Sequence, residues 1–311
     1  MSFASPVLLL VYRRPALTAR VLRVLRDVKP AVLLIAADAP GREQDRAACA
    51  QTRQLVLETV DWPCHVETRF ADRHLGCKTA VSSAIDWAFS LHDRLIVVED
   101  DCVPAASFFR FCDELLARYA EDPRVLQISG SNLTGWRQRP ESYHFSRFGP
   151  IWGWASWRRA WANYDVAMAS WPEVRNSTLL SQLCPEPFEA AWRREIFDEV
   201  YHGRIDTWDY QWAYAKMIAG GINIIPATHL VANIGFGAGA THTWAEDDPR
   251  GRLPTCDLGF PLVHPQTIAT VPEADREYLR KVVGLPAEPW SVPGAKHLLK
   301  SWARRIRRQA P

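Results

Sequence analysis

The chain has 311 residues, of which 48% are hydrophobic and 23% are charged, and its formal net charge is +2. This composition is that of a globular protein, and it excludes a disordered or fibrous chain. The near-neutral charge gives no general reason to expect a nucleic-acid partner. The apolar run Val7–Val11 is too short for a signal peptide or a membrane span. Seven scattered cysteines without a zinc-binding spacing indicate reduced thiols in a cytoplasmic protein.

Apolar runs alternate with amphipathic segments through the first hundred residues. Each predicted strand is followed by apolar residues at helical spacing, and the strands fall at 7–11, 31–37, 64–70 and 95–98. Strands that alternate with helices favour parallel, right-handed βα units. We therefore predict an α/β fold of the Rossmann-like kind, with a mixed, mainly parallel sheet flanked by helices.

The second half of the chain is less regular. Helices are predicted at 108–119, 188–201 and 208–219, and strands at 125–129 and 222–226. Between residues 136 and 171 the pattern is lost among aromatic, Gly and Pro residues. We predict one domain over 1–285, with a first half at about 1–130 and an elaborated second half at about 131–285, followed by a basic tail at 286–311.

Three carboxylates, Glu99, Asp100 and Asp101, follow the buried strand at 95–98. Adjacent acids repel one another and raise each other's pKa, so a bound cation is a good reason to gather them. In open α/β sheets the carboxyl ends of the strands are where ligands bind. The alternative is a solvated acidic turn.

The order of these elements and the motifs Val97-Val98-Glu99-Asp100-Asp101, Trp-Gly-Trp and Thr-His-Thr resemble the GT-A nucleotide-sugar glycosyltransferases. The resemblance is closest to N-acetylglucosaminyltransferase I and to bacterial family-two-like enzymes. It implies that Asp101 binds Mn²⁺ or Mg²⁺ and that Asp100 and Glu99 contact the donor or its metal. It also implies that His242, after a Gly-rich loop, completes the metal site.

The resemblance makes residues 1–130 the nucleotide-binding half and residues 131–285 the acceptor half. It places the donor nucleotide beside the loop after the first strand, at Tyr12 and Arg14, and beside Asp38. Arg73 and Lys78 flank a glycine at a predicted helix start, where backbone amides and positive charge suit a diphosphate. The alternatives are that Asp38 only forms a turn before Pro-Gly and that the two cations are a solvated helix start.

Transfer of a sugar requires a base that removes the proton of the acceptor hydroxyl. The segment 205–212 offers Asp206 and Asp209, and Asp209 matches best the acid that serves as base in the resembled enzymes. Acids three residues apart also occur where side chains cap the beginning of a helix. The alternative is therefore that Asp206 and Asp209 only stabilise the start of the helix.

Nine of the fourteen tryptophans fall between Trp136 and Trp212. Aromatic faces stack on sugar rings, so Trp152, Trp154, Trp157 and Trp208 are predicted to contact the acceptor. The alternative is packing in the core.

The residues and the resemblance together predict a metal-dependent, inverting glycosyltransferase of surface-polysaccharide synthesis. Its donor would be a nucleoside-diphosphate sugar, and its acceptor a saccharide that is either free or linked to a lipid. Residues 296–308 contain six Lys and Arg and no acid, and their pattern fits a helix on an anionic membrane, with a disordered tail as the alternative. The rival functions are a nucleotidyltransferase and a carbohydrate-binding protein of the same fold that lacks activity.

Overall fold

The computed structural model describes residues 3–137, 140–236 and 249–286. The strands are β1 (Val7–Val11), β2 (Val32–Ala37), β3 (His65–Phe70), β4 (Arg94–Glu99), β5 (Cys102–Pro104), β6 (Val125–Ser129), β7 (Tyr143–Ser146), β8 (Trp154–Trp157), β9 (Ile222–Pro226) and β10 (Val231–Asn233). The helices are α1 (Pro15–Val28), α2 (Arg46–Thr59), α3 (Gly76–Leu91), α4 (Ala106–Arg118), α5 (Arg158–Trp161), α6 (Trp171–Asn176), α7 (Leu179–Leu183), α8 (Glu189–Tyr201), α9 (Asp209–Ile218) and α10 (Pro272–Tyr278).

Eight strands form one sheet in the order β3-β2-β1-β4-β8-β6-β9-β7. Strands β1, β2, β3, β4, β6 and β9 run in one direction, and β7 and β8 run against them. Strand β5 pairs with β10 in a separate antiparallel ribbon. The predicted α/β fold, with a mixed and mainly parallel sheet flanked by helices, is confirmed.

The central strands are continuous apolar runs because helices cover both faces of the sheet. All five residues of β1 are buried, and so are the four apolar residues in the middle of β4. Helix α1 begins at Pro15, whose fixed φ suits the first turn, and ends where Lys29 adopts φ 51°. These strands and helices bring the loops after β1 and β4 to the same edge of the sheet.

The segment predicted to be irregular contains two strands, β7 and β8, and this corrects the sequence prediction. Strand β8 (Trp154–Trp157) lies between β4 and β6 and is buried along its whole length. A strand buried on both faces has no polar residues at every second position, so its sequence lacks the period of a half-exposed strand. The antiparallel β8 therefore joins the strands of the first hundred residues to the remainder of the sheet.

Buried side chains form two clusters. The larger one covers the sheet and includes residues of both halves of the chain, from Phe3 to Leu262. The smaller one lies in the second half, around Phe148, Trp171 and Phe197. Strands β7, β8 and β9 of the second half continue the sheet that the first half begins.

No helix within the described ranges is both long and apolar enough to cross a membrane. The predicted membrane-binding segment 296–308 lies outside the described residues.

Candidate active site at the carboxyl edge of the sheet

The sheet reverses its order of strands between β1 and β4. Strand β1 pairs in parallel with β2 on one side and with β4 on the other, so the chain leaves β1 in one direction and later returns to its opposite side. A crevice forms at such a switch point because the two neighbouring loops lead away from each other. The loops that border it here are residues 12–14 after β1 and the acidic turn after β4.

Two residues of the first loop hold the acidic turn. The backbone N–H of Tyr12 donates a hydrogen bond to Asp100 Oδ2 at 3.1 Å. Arg14 Nη1 lies 2.6 Å from Asp101 Oδ2 and 3.4 Å from Asp100 Oδ1. The side chains of Arg14, Asp100 and Asp101 are 16%, 8% and 13% exposed, so this ion pair is largely shielded from water. The predicted Tyr12, Arg14, Asp100 and Asp101 thus come together as one constellation.

Burial sets the electrostatics of the acid cluster, by which we mean Glu99, Asp100 and Asp101. Burial raises the pKa of Asp100 to about 7, and the charge of Asp101 adds to the effect while Arg14 opposes it. Burial also raises the pKa of Glu99 well above its usual range, with further contributions from Asp101, Asp100 and Asp209. Asp209 is therefore close enough to the cluster to interact with it electrostatically.

Asp101 is covered by the chain that follows β10. Its carbonyl oxygen accepts a hydrogen bond from the N–H of Ile234 at 2.8 Å. A Cβ at Gly235 would lie 2.1 Å from Asp101 Oδ2, so only glycine fits beside this carboxylate. The N–H of Gly235 donates to Asn233 Oδ1 at 2.8 Å. The glycine-rich segment thus begins in contact with the acid cluster.

The predicted metal ligand His242 lies outside the described residues, so its position relative to Asp101 stays a prediction. Across 3–137, 140–236 and 249–286, no three His, Cys, Asp or Glu side chains form a group that could hold a metal ion. The carboxylates of the acid cluster offer hard oxygen ligands at the switch point.

Asp38 holds the start of α3. Its carboxylate accepts hydrogen bonds from the N–H groups of Leu75 (2.9 Å) and Gly76 (3.1 Å), and its Oδ2 lies 2.8 Å from His74 Nδ1. The ring of His74 in turn stacks on Tyr12 at 5.8 Å. Asp38 therefore stabilises the start of α3 in addition to the turn that the sequence suggested. A donor nucleotide that bound Asp38 would have to use carboxylate oxygens that already accept these hydrogen bonds.

Asp206 binds the next two backbone N–H groups of the same helix. Its carboxylate accepts hydrogen bonds from the N–H groups of Cys77 at 3.1 Å and Lys78 at 3.3 Å. These are the amides that the sequence analysis assigned to a donor diphosphate, and here a carboxylate of the chain takes that place. Of the two predicted cations, Arg73 is exposed and Lys78 is half-buried.

Asp209, the other candidate base, is half-buried at the first position of α9. The hydroxyl of Thr207 donates a hydrogen bond to its Oδ1. The charge of Asp209 also raises the pKa of Cys77, after burial and the charge of Glu99. The structure therefore separates the two candidates: Asp206 binds the amides of α3, and Asp209 interacts with the acid cluster.

Three of the four predicted acceptor tryptophans belong to the core, which corrects that prediction. Trp154, Trp157 and Trp208 are 0%, 4% and 2% exposed. Trp154 stacks on Trp208 at 5.6 Å, so neither ring offers a free face for a sugar. Trp152 alone among the four is half-buried, and its ring meets Phe236 edge to face at 5.7 Å.

The structure adds residues that sequence reasoning did not select. Cys77 is half-buried near Glu99, Asp206 and Asp209, and no spacing in the sequence marks it. The charge of Asp209 contributes to raising the pKa of both Tyr210 and Tyr278. Burial is the larger cause, and it raises the pKa of Tyr278 to about 12. Tyr210 directly follows the candidate base Asp209 in the sequence, and this position was the one sign that it could lie at the site.

No protein-family model and no curated protein sequence matches this chain. Among solved structures, mouse xyloside xylosyltransferase 1 in its apo form is similar at a TM-score of 0.31 and 13% identity, over 70% of this chain and 81% of that one. A 4-diphosphocytidyl-2C-methyl-D-erythritol synthase from Anaerococcus prevotii is similar at 0.31 and 7% identity, over 62% and 84%. UDP-glucose pyrophosphorylase complexed with UDP-glucose is similar at 0.31 and 8% identity, over 51% and 78%. Similarity at this level assigns no function, so the function proposed below rests on the geometry of the site.

Proposed function

We propose that this protein is a metal-dependent glycosyltransferase that moves a sugar, with inversion, from a nucleoside-diphosphate donor to a saccharide acceptor. One observation carries the proposal. The acid cluster lies at the switch point of the sheet and is tied to the loop after β1 through Tyr12 and Arg14. A nucleotide bound in the crevice would therefore meet carboxylates on one side and a guanidinium on the other.

The carboxylates at the site are ligands of the kind that a divalent cation takes. A cationic group, the guanidinium of Arg14, already lies 2.6 Å from Asp101 Oδ2, and Gly235 brings no Cβ against this carboxylate. Oxygen ligands suit Mn²⁺ or Mg²⁺. Asp101 and His242 would hold the ion, with Asp100 and Glu99 nearby. When bound, the ion would neutralise the negative charge of the departing diphosphate.

The proposed chemistry needs one proton transfer, from the acceptor hydroxyl to the protein. Asp209 takes the proton of the acceptor hydroxyl, the acceptor oxygen bonds to the anomeric carbon, and the bond to the diphosphate oxygen breaks with its electron pair. The position of Asp209 at the start of α9, with Thr207 bonded to one carboxylate oxygen, supports this role because it leaves the second oxygen to accept the proton. Trp152 and Phe236 would line the acceptor side.

The acceptor is proposed to be a saccharide of a surface polysaccharide. If residues 296–308 bind a membrane as their sequence predicts, the enzyme would work at the cytoplasmic face on a lipid-linked acceptor.

A screen of nucleotide sugars tests the proposal. Purified protein is incubated with UDP-, GDP- and dTDP-sugars, with Mn²⁺ or with EDTA, and the released nucleoside diphosphate is measured. We expect metal-dependent release with one donor and none from the Asp101→Ala variant. Release of pyrophosphate from a nucleoside triphosphate and a sugar 1-phosphate would instead identify a nucleotidyltransferase. Nucleotide binding without turnover of any donor would identify a binding protein.

A further inference from the structure

Gln127 of β6 binds α9, the helix that begins with the candidate base Asp209. Gln127 is 0% exposed, and its side-chain oxygen accepts hydrogen bonds from two residues of α9, Trp212 Nε1 at 2.9 Å and Lys216 Nζ at 2.5 Å. We propose that Gln127 and Lys216 are positioning residues that fix where Asp209 meets the acceptor. This inference rests on the proposed function and adds two residues to it.

Asp209, Trp212 and Lys216 lie on one face of α9. Positions three and seven residues apart lie on the same side of a helix with about 3.6 residues per turn. Because Trp212 and Lys216 donate to the same oxygen, rotation of α9 about its axis, or sliding along it, would lengthen at least one of the two hydrogen bonds. The same movement would displace Asp209, since it belongs to the same helix.

Aromatic packing around α9 determines its position less precisely. The rings of Trp208 and Trp212 lie 5.6 Å and 6.2 Å from the ring of Trp154. Apolar burial is not directional, so such contacts tolerate small shifts better than hydrogen bonds, which weaken steeply with angle and distance. The two hydrogen bonds to Gln127 therefore set the register of α9 on β6.

The other end of the Gln127 amide connects α9 to the proposed acceptor side. Its Nε2 donates to the carbonyl oxygen of Pro150 at 2.8 Å, and Pro150 precedes Trp152 by two residues. The chain also approaches closely at Gly149, where a Cβ would lie 2.7 Å from Lys216 Nζ. One side chain thus holds both the helix of the base and the segment that leads to Trp152.

Stability alone does not explain a lysine at position 216. Lys216 is 3% exposed, and its amine donates to the neutral amide of Gln127. Burial lowers the pKa of Lys216 well below its usual range, and the charge of Arg193 adds to the effect while Asp209 opposes it. An apolar side chain of the same length would avoid the desolvation of the amine. Polar groups that a core does not need for packing are expected at functional sites.

Turnover and stability of three variants test the inference. Lys216→Met removes one of the two hydrogen bonds to Gln127 with little change in side-chain length, and the double variant Gln127→Leu/Lys216→Met removes both. Tyr214→Phe is the matched control, because it removes a different hydrogen bond of α9, the one between Tyr214 and Ser170 at 2.7 Å.

Each protein is incubated with Mn²⁺ and with the UDP-, GDP- or dTDP-sugar that the wild type cleaves. Release of the nucleoside diphosphate gives kcat and the KM for the donor. Calorimetry gives the affinity for the nucleoside diphosphate, and urea unfolding gives the stability.

Lys216→Met should be as stable as the wild type and yet lose kcat, because α9 is held by one hydrogen bond less. The double variant should lose up to about 10²-fold in kcat, which is the effect of misplacing a reacting group by about 1 Å. In both variants the KM for the donor and the affinity for the nucleoside diphosphate should stay within about twofold of the wild type, because the donor contacts are unchanged. Tyr214→Phe should keep the kcat of the wild type even if it loses stability.

Wild-type kcat in Lys216→Met and in the double variant would overturn the inference and leave the proposed function intact. A kcat that falls in all three variants in proportion to their loss of stability would also overturn it, because a purely structural role predicts that result. If the double variant does not fold, the comparison of Lys216→Met with Tyr214→Phe decides in the same way. If the wild type cleaves no nucleotide sugar, the proposed function fails, and the inference fails with it.

Discussion

Asp206 and Asp209 are three positions apart, and their surroundings give them different tasks. Asp206 accepts hydrogen bonds from two amides of α3, whereas Asp209 interacts with Glu99 and accepts a hydrogen bond from the Thr207 hydroxyl. Sequence alone left both as candidates for the base because the same spacing also caps helices. The long-range contact of Asp206 with α3 distinguishes them.

The Asp209→Asn variant should bind the nucleoside diphosphate as the wild type does and lose about 10²–10⁴-fold in kcat, the usual contribution of a general base. Asparagine keeps an oxygen that accepts from Thr207, so the fold should be retained. Turnover and calorimetric nucleotide binding measure the two effects. Transfer at the wild-type rate would exclude Asp209 as the base.

His229 makes stability depend on pH. It is 8% exposed, and neither ring nitrogen has a hydrogen-bond partner among the described residues. Burial lowers the pKa of His229 from 6.5 to about 4. Between these values the unfolded chain binds a proton that the folded chain does not, so the free energy of unfolding falls as the pH falls from 6.5 towards 4.

The loss attributable to His229 should reach about 3 kcal/mol at pH 4 and be absent at pH 7 and above. Urea unfolding of the wild type and of His229→Leu at pH 7 and pH 5 measures it, and the variant should lose less stability on acidification. Parallel pH profiles for wild type and His229→Leu would contradict the prediction.

At the scale of elements, two carboxylates and one glycine stabilise the start of α3. Asp38 binds the amides of Leu75 and Gly76, and Asp206 binds those of Cys77 and Lys78. Gly76 has φ 78°, and a Cβ there would lie 3.0 Å from Asp206 Oδ2. The helix therefore connects the loop after β2, at Asp38, to the segment that carries the candidate base.

The Gly76→Ala variant should lose more stability than Gly203→Ala. Both glycines have positive φ, 78° and 70°, but a Cβ at Gly203 meets no atom within 4 Å. Both variants bear the conformational cost of about 1 kcal/mol, and Gly76→Ala also disturbs Asp206. Urea unfolding compares them. Equal losses would show that the contact between Gly76 and Asp206 contributes nothing.

For the whole molecule, a buried ion network joins the sheet to the second core cluster. Arg147, directly after β7, pairs with Glu189 of α8 at 2.7 Å and with Asp275 of α10 at 3.0 Å. Arg193 also contacts Glu189, at 3.0 Å. Glu189 and Asp275 are 0% and 1% exposed, so water cannot replace a lost partner.

The Glu189→Ala variant should be destabilised by about 3–5 kcal/mol, because it leaves two arginines without their shared carboxylate. Glu277→Ala, which removes the partner of the exposed Arg280 and Lys281, should cost at most about 1 kcal/mol. Chemical unfolding measures both. A loss near that of Glu277→Ala would indicate that the network contributes little net stability.

The first four long strands along the chain could be predicted because three are apolar runs, the third alternates apolar and polar residues, and a helical pattern follows each of them. The acid cluster could also be predicted, because three carboxylates directly follow an apolar run that indicates a buried strand. Trp154 and Trp157 were assigned to an acceptor loop because a fully buried aromatic strand has no distinguishing period. The contact of Asp206 with α3 joins residues 129 positions apart, which no local pattern reveals.

The contact of Gly235 with Asp101 also acts as a tether. His242 follows Gly235 by seven residues, so the covalent chain keeps it within about 25 Å of the carboxylate whatever path it takes. One imidazole confined to that volume has an effective concentration in the millimolar range. Lengthening the segment between them would dilute this ligand. The length of the segment should therefore affect how readily an imidazole joins the proposed cation.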